Sequence, residues 1–174
     1  MKIVHIVPHF FNYREAVLVE TWFPDAIKMS TGPLAISELC DKEYEIKTEK
    51  LYYDLFDVVI QTSGGPVPTN QLGASLIVQE IFKKCHDNGG IVATICLGAN
   101  TLAYALDLHG VTITCFPLKV LVRKLRSKGA TVTSSAVESY NRIVTAQTQI
   151  DTSNWIREIQ RLIAAKDPKK SKRV

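Results

Sequence analysis

The segment Ile91-Val92-Ala93-Thr94-Ile95-Cys96-Leu97-Gly98-Ala99-Asn100 places a thiol where an apolar run stops and a helical pattern starts. The run before Cys96 is apolar on both sides, which reads as a central strand of a parallel sheet. Gly98, two residues after the cysteine, lets the chain turn sharply. Such a turn holds the side chain at the carboxyl end of the sheet in a strained conformation, as in a nucleophile elbow. Ligand sites of open α/β sheets lie at that edge. The helix expected after the cysteine turns its N–H groups and positive dipole end toward the sulfur, which favours the reactive thiolate. The chemistry to expect is therefore nucleophilic. A cysteine is otherwise a small buried hydrophobe, and that reading is kept for Cys40, Cys85 and Cys115. Cys85 falls on an apolar helix face and Cys115 ends a strand.

A second constellation is Thr62-Ser63-Gly64-Gly65-Pro66, after a strand ending at Gln61. In a parallel sheet this loop shares the edge that carries Cys96. By itself a glycine pair after a strand is a turn. Beside an elbow, the backbone N–H groups of Gly64 and Gly65, with that of Leu97, are candidates for an oxyanion hole. Of the four histidines, His5 lies inside the first strand, His86 at a helix end and His109 before Gly110. Only His9 follows the first strand at its carboxyl end, so it is the candidate base.

The elements that must position these groups follow an alternating pattern of β-branched runs and helical periods, the signature of parallel strands joined by crossover helices. Strands are expected over 2–7, 26–30, 57–61, 91–95, 111–114, 131–136 and 142–146, and helices over 13–23, from Leu76 to Gly89-Gly90, from the elbow to Leu106, over 118–126 and from Asp151 onward. Leu76, Ile77, Ile81 and Cys85 mark an inward face, as do Ile156, Ile159 and Ile163. Asp151-Thr152-Ser153 supplies capping residues. Within 32–50 only Tyr44 to Thr48 alternates like a strand.

At 174 residues the chain fits one ordinary domain, expected over 1–165. With 46% hydrophobic and 22% charged residues it is neither disordered nor collagenous. No apolar run reaches the ~20 residues needed to span a bilayer, and the N-terminus reads as a strand rather than a signal peptide, so no membrane partner is expected. Four cysteines without C-x-x-C spacing read as reduced cytoplasmic thiols, and no metal site is expected. The net charge of +4 comes largely from Lys166, Lys169, Lys170, Lys172 and Arg173, in a basic tail over 166–174 that reads as solvated and disordered. This argues against a nucleic-acid partner.

Three blocks in order and spacing resemble the DJ-1/PfpI (ThiJ) family of the class I glutamine amidotransferase-like superfamily. They are Ser63-Gly64-Gly65 after a strand, Ala93-Thr94-Ile95-Cys96-Leu97-Gly98 about thirty residues later, and Val144-Thr145-Ala146 as a last core strand. The resemblance implies an α/β fold: a three-layer sandwich, flavodoxin-like, with a mostly parallel central sheet. It also implies that Glu15, opening the first helix, is the carboxylate partner of Cys96. Read without the resemblance, Glu15 is a first-turn acid suited to the helix dipole. Near a thiolate it must be protonated to serve as hydrogen-bond donor and proton shuttle.

The departures narrow the function. Protease-like members carry histidine after the cysteine, where this chain has Leu97. The DJ-1-like branch often has a histidine before a proline in a later loop, where this chain has Phe116-Pro117. Gln147-Thr148-Gln149 replaces an arginine-containing loop, and Ala99 stands where proline is common. The His-x-Glu pair that glutamine amidotransferases need is absent. The resemblance thus implies a homodimer or larger assembly with no cofactor. The first functional reading is a glyoxalase- or deglycase-like enzyme acting on a small carbonyl compound. The alternatives are a non-enzymatic redox sensor or chaperone-like stress protein and, last, a cysteine peptidase or amidohydrolase.

Overall fold

The computed structural model describes residues 1–32, 34–37 and 45–166. Cys40 and the tail from Asp167 onward lie outside these residues. The carboxyl-end residues of the central strands carry the site, so the sheet comes first. The β-branched runs form β1 (Ile3–Ile6), β2 (Ile27–Ser30), β6 (Val58–Gln61), β7 (Ile91–Ile95) and β11 (Ile143–Ala146). With β5 (Glu49–Lys50) and β10 (Val137–Tyr140) they make a seven-stranded sheet in the order β10-β11-β7-β6-β1-β2-β5. All its neighbours are parallel except the edge pair β10–β11. Every residue of β6, β7 and β11 is buried, which explains their unbroken apolar character. The register aligns Ile6, Gln61, Thr94 and Thr145 in one row. Cys96 follows directly at the carboxyl end of β7.

Helices cover both faces. Leu72 of α2 (Pro66–Ala74), Val78, Ile81, Phe82 and Cys85 of α3 (Leu76–Asp87), Leu102 of α4 (Leu102–Ala105) and Leu121 of α5 (Lys119–Ser127) pack with Val4, Val59 and Val92. On the other face, Val19 of α1 (Tyr13–Trp22) and Trp155, Ile156 and Ile159 of α6 (Thr152–Lys166) pack with Val58, Ile60, Ala93 and Val144. The result is three layers. Trp155 is fully buried and donates its indole N–H to the Val144 carbonyl at 3.3 Å. Trp22 is 55% exposed. None of the described helices is long and apolar enough to cross a membrane.

Several elements differ from expectation. The stretch after Gly65 is a helix, α2, since Pro66 occupies a first-turn position that needs no N–H. Leu76 opens α3 but is 77% exposed, and Val78 and Phe82 take the inward face with Ile81 and Cys85. Cys96–Thr101 is a 3₁₀ turn leading into the four-residue α4, where a continuous helix was expected. β8 (Thr112–Thr114) and β9 (Thr131–Thr133) pair in a separate two-stranded sheet. The second capping residue expected for the last helix, Thr152, is its first residue, and Thr148 and Asp151 form a reciprocal capping box one turn earlier. The alternating segment after residue 44 forms β4 (Glu45–Lys47), antiparallel to β3 (Leu34–Ile36).

Candidate active site

Asn12 caps α1: its side-chain oxygen accepts from the N–H groups of Arg14 and Glu15 at 3.1 and 3.3 Å. This cap fixes where α1 begins and therefore where Glu15 points. Asn12 also donates its backbone N–H to the Ser63 carbonyl at 2.7 Å and its side-chain amide to Gln149. The β1–α1 loop, the β6–α2 loop and the late glutamine-containing loop are thereby tied together.

Glu15 has no exposed surface. Ser63 holds both of its carboxyl oxygens, the backbone N–H donating to Oε2 at 2.6 Å and the hydroxyl to Oε1 at 2.8 Å. Burial pushes the carboxyl up to about 7, against the pull of those two bonds.

Cys96 has a φ of 57°, in the left-handed region that a side chain disfavours. Gly98 permits this turn, because a Cβ there would meet the Gln61 carbonyl oxygen at 3.3 Å. The elbow thus lies against the end of β6, close enough to the Ser63 hydroxyl and the Leu97 N–H for both to favour the thiolate. Burial first, and the charge of Glu15 second, push the thiol up to about 11, with Ser63 and Leu97 pulling the other way. The expectation that a helix terminus would favour the thiolate is corrected here. A 3₁₀ turn and a four-residue helix offer the sulfur only a short dipole, and burial and the neighbouring acid act against ionisation. Glu15 acts on Cys96 through its charge, and its hydrogen bonds go to Ser63 with none directly to the sulfur.

The expected oxyanion hole also needs correction. Gly64 donates its N–H to Thr69 Oγ1 at 3.1 Å, and Gly65 donates to the Phe10 carbonyl at 3.1 Å. Both are committed within the protein, which leaves the Leu97 N–H at the sulfur. Gly64 is required for close approach, since a Cβ there would lie 2.3 Å from the Phe10 oxygen. His9 packs against Phe10 in a tilted arrangement, ring centroids 4.3 Å apart and planes at 57°, and no hydrogen bond joins it to Cys96, Glu15 or Ser63. His5 is buried, with Nε2 at 3.1 Å from Thr62 Oγ1, and burial lowers it to about 3, so it stays neutral. The Phe116 N–H donates to the Cys96 carbonyl at 3.4 Å, so the histidine-free loop does reach the elbow.

A pocket of about 320 Å³ lies beside the elbow, lined by Pro66, Thr69, Leu97, Leu118 and Lys124 among others. A larger cavity, about 700 Å³, lies at the opposite edge around Ile3, Trp22 and Asp57, away from the thiol. The smaller pocket adjoins the elbow through Leu97 and Asn100, and Cys96, Glu15 and Ser63 do not line it. Ser63 is the member of the site that motif reading missed. Its only local signal is a hydroxyl residue just ahead of the glycine pair.

The flavodoxin-like three-layer fold and a cysteine elbow at the sheet edge define a class, and the sequence places the chain within it. The chain belongs to the DJ-1/PfpI family, whose model matches residues 15–162. The ThiJ/PfpI domain protein of Brachyspira murdochii superimposes with a TM-score of 0.83 at 21% identity, over 94% of this chain and 96% of that one. DJ-1 of Schizosaccharomyces pombe gives 0.78 at 17% identity over 100% of both chains, and DJ-1beta of Drosophila melanogaster gives 0.74 at 17% over 91% and 88%. No curated protein sequence matches this chain.

Proposed function

We propose that this chain is a cofactor-independent enzyme in which Cys96 adds to the carbonyl carbon of a small aldehyde, in the manner of a glyoxalase or deglycase. The observation that carries this reading is a buried carboxyl poised near 7 next to an elbow cysteine. A general base is most effective when its pKa lies near the working pH. The thiol need not be ionised beforehand. As sulfur attacks, its proton passes to the Glu15 carboxylate, the carbonyl π pair moves onto oxygen, and a hemithioacetal results once that oxygen is protonated. With methylglyoxal, moving hydrogen from the aldehyde carbon to the neighbouring carbon and releasing the thioester with water gives lactate.

A peroxide sensor requires a thiolate at neutral pH, and a thiol held up at about 11 runs against that alternative. Leu97 likewise offers no base for peptide hydrolysis. A homodimer or larger closed assembly belongs to the same proposal. Light scattering that finds only monomer mass at micromolar concentration would count against it.

The test is methylglyoxal consumption with lactate measured as product, for the wild type and Cys96→Ala, beside intact mass after mild peroxide. The reading expects lactate from the wild type alone. Oxidation of Cys96 without turnover would replace the enzyme with the sensor.

A further inference from the structure

We propose that Ser63 is the proton relay between Cys96 and Glu15, so that the working unit is a chain of three residues rather than a thiol and a carboxyl in direct contact. The inference rests on the proposed role of Cys96 as nucleophile and adds the route its proton takes. Glu15 is fully buried, and both of its oxygens are held by Ser63. Ser63 is itself 2% exposed, whereas Cys96 is the partly accessible member. The hydroxyl that donates to Oε1 at 2.8 Å also lies within reach of the sulfur. Packing of Gly98 against the Gln61 carbonyl and the bond from Asn12 N–H to the Ser63 carbonyl hold the two segments together.

A hydroxyl has one proton and two lone pairs, so it can accept from one side while donating to the other. In the proposed relay the Cys96 S–H turns to Ser63 Oγ, whose own proton is donated to Glu15 Oε1. As the sulfur pair forms the new C–S bond, the S–H proton moves to Oγ and the Oγ proton moves to Oε1. Ser63 ends as a hydroxyl again, Glu15 as a neutral acid, and the electron pair from the carbonyl π bond sits on the substrate oxygen. Reversal returns both protons. No other reactant is needed.

The competing role is a brace: the hydroxyl merely anchors the carboxyl. The two roles predict opposite signs. Without the hydroxyl, a braced Glu15 would titrate higher, carry less charge at a given pH and leave the Cys96 midpoint unchanged or lower. A relay loses the donor that stabilises the thiolate, which raises the midpoint. The titratable groups that face the sulfur are Glu15 from α1 and Cys115 from the end of β8.

The experiment follows iodoacetamide labelling of Cys96 in the full chain by peptide mass from pH 6 to 11, for the wild type, Ser63→Ala and Ser63→Thr. The relay expects Ser63→Ala to label roughly tenfold or more slowly at pH 8, with its midpoint about one pH unit higher, and Ser63→Thr to restore the rate. A Ser63→Ala curve that overlays the wild type or moves to lower pH overturns the relay. Ser63→Gly also lacks the hydroxyl while keeping the N–H to Oε2, and it carries the test if the alanine variant does not fold. Labelling requires no turnover, so its failure is distinct from a failure to consume methylglyoxal.

Discussion

Ser63 takes both oxygens of Glu15, one through its backbone N–H and one through its hydroxyl. A buried acid held in this way is oriented without being forced to ionise. The consequences can be measured separately for the thiol, for the fold and for the loop that carries Ser63.

Glu15→Gln is expected to separate thiol acidity from turnover. Removing the charge removes the second cause that raises Cys96, so the labelling midpoint should move below about 11. Glutamine cannot carry a proton, and any aldehyde turnover should fall by something on the order of 10²–10⁴. Parallel losses of labelling and turnover would contradict this split.

The same substitution should change how stability depends on pH. The Glu15 carboxyl titrates at about 7 in the fold against an ordinary 4.5. The native state therefore keeps its proton where the unfolded chain has lost it, and stability declines as pH rises from about 4.5 to 7. The penalty, roughly 3 kcal/mol, is absent below that window and complete above it. In urea titrations, Glu15→Gln should gain on the wild type across this window. A constant difference between the two would show that Glu15 is not buried as a neutral acid.

His5 works in the opposite direction. Its pKa drops from 6.5 to about 3 on folding, so the unfolded chain binds a proton that the native state refuses. Stability is undiminished above 6.5 and is lost as pH falls toward 3. His5→Gln, with an amide to face Thr62 Oγ1, should flatten this acid limb, as read from the urea midpoint at pH 4 against pH 7. An acid limb as steep as the wild type's would place its origin elsewhere.

Gly64→Ala should damage both fold and chemistry. The added carbon would meet backbone atoms of Phe10 and Phe11 at 2.3 to 3.0 Å, and no flexible side chain is there to yield. A loss of about 1–3 kcal/mol is expected, with slower Cys96 labelling because Ser63 shifts with the loop. Denaturant midpoints at wild-type values would show that the loop has room to spare.

Much of this architecture is legible from residue type. The runs Val58–Gln61, Ile91–Ile95 and Ile143–Ala146 are β-branched and buried throughout, so strands and edge could be read together. Residues Pro66, Pro68 and Gly73 hid α2 because they look like loop residues. Gly73 stands where a Cβ would press within 2.7 Å of Thr101 Oγ1, a constraint from tertiary packing that local pattern does not carry. Val137–Tyr140 is a half-exposed edge strand without clean alternation, so β10 was missed. At the site, Cys96 announced itself through the turn around it. The carboxyl–hydroxyl contact between Glu15 and Ser63 spans 48 positions and needs the folded sheet to exist. The commitment of the Gly64 and Gly65 N–H groups to Thr69 and Phe10 was invisible for the same reason.

The contrast between Trp155, sealed in the core with its indole bonded to Val144, and Trp22, more than half exposed, gives the protein two fluorophores of opposite character. They are its only tryptophans. Trp155 emits from an apolar cage at short wavelength, and its emission should shift to the red only when α6 leaves the sheet. Trp22 sits in water and should be quenched by iodide in the native state. A site variant that leaves the blue component and the iodide-accessible fraction unchanged has kept its fold, and its lost reactivity then belongs to the site.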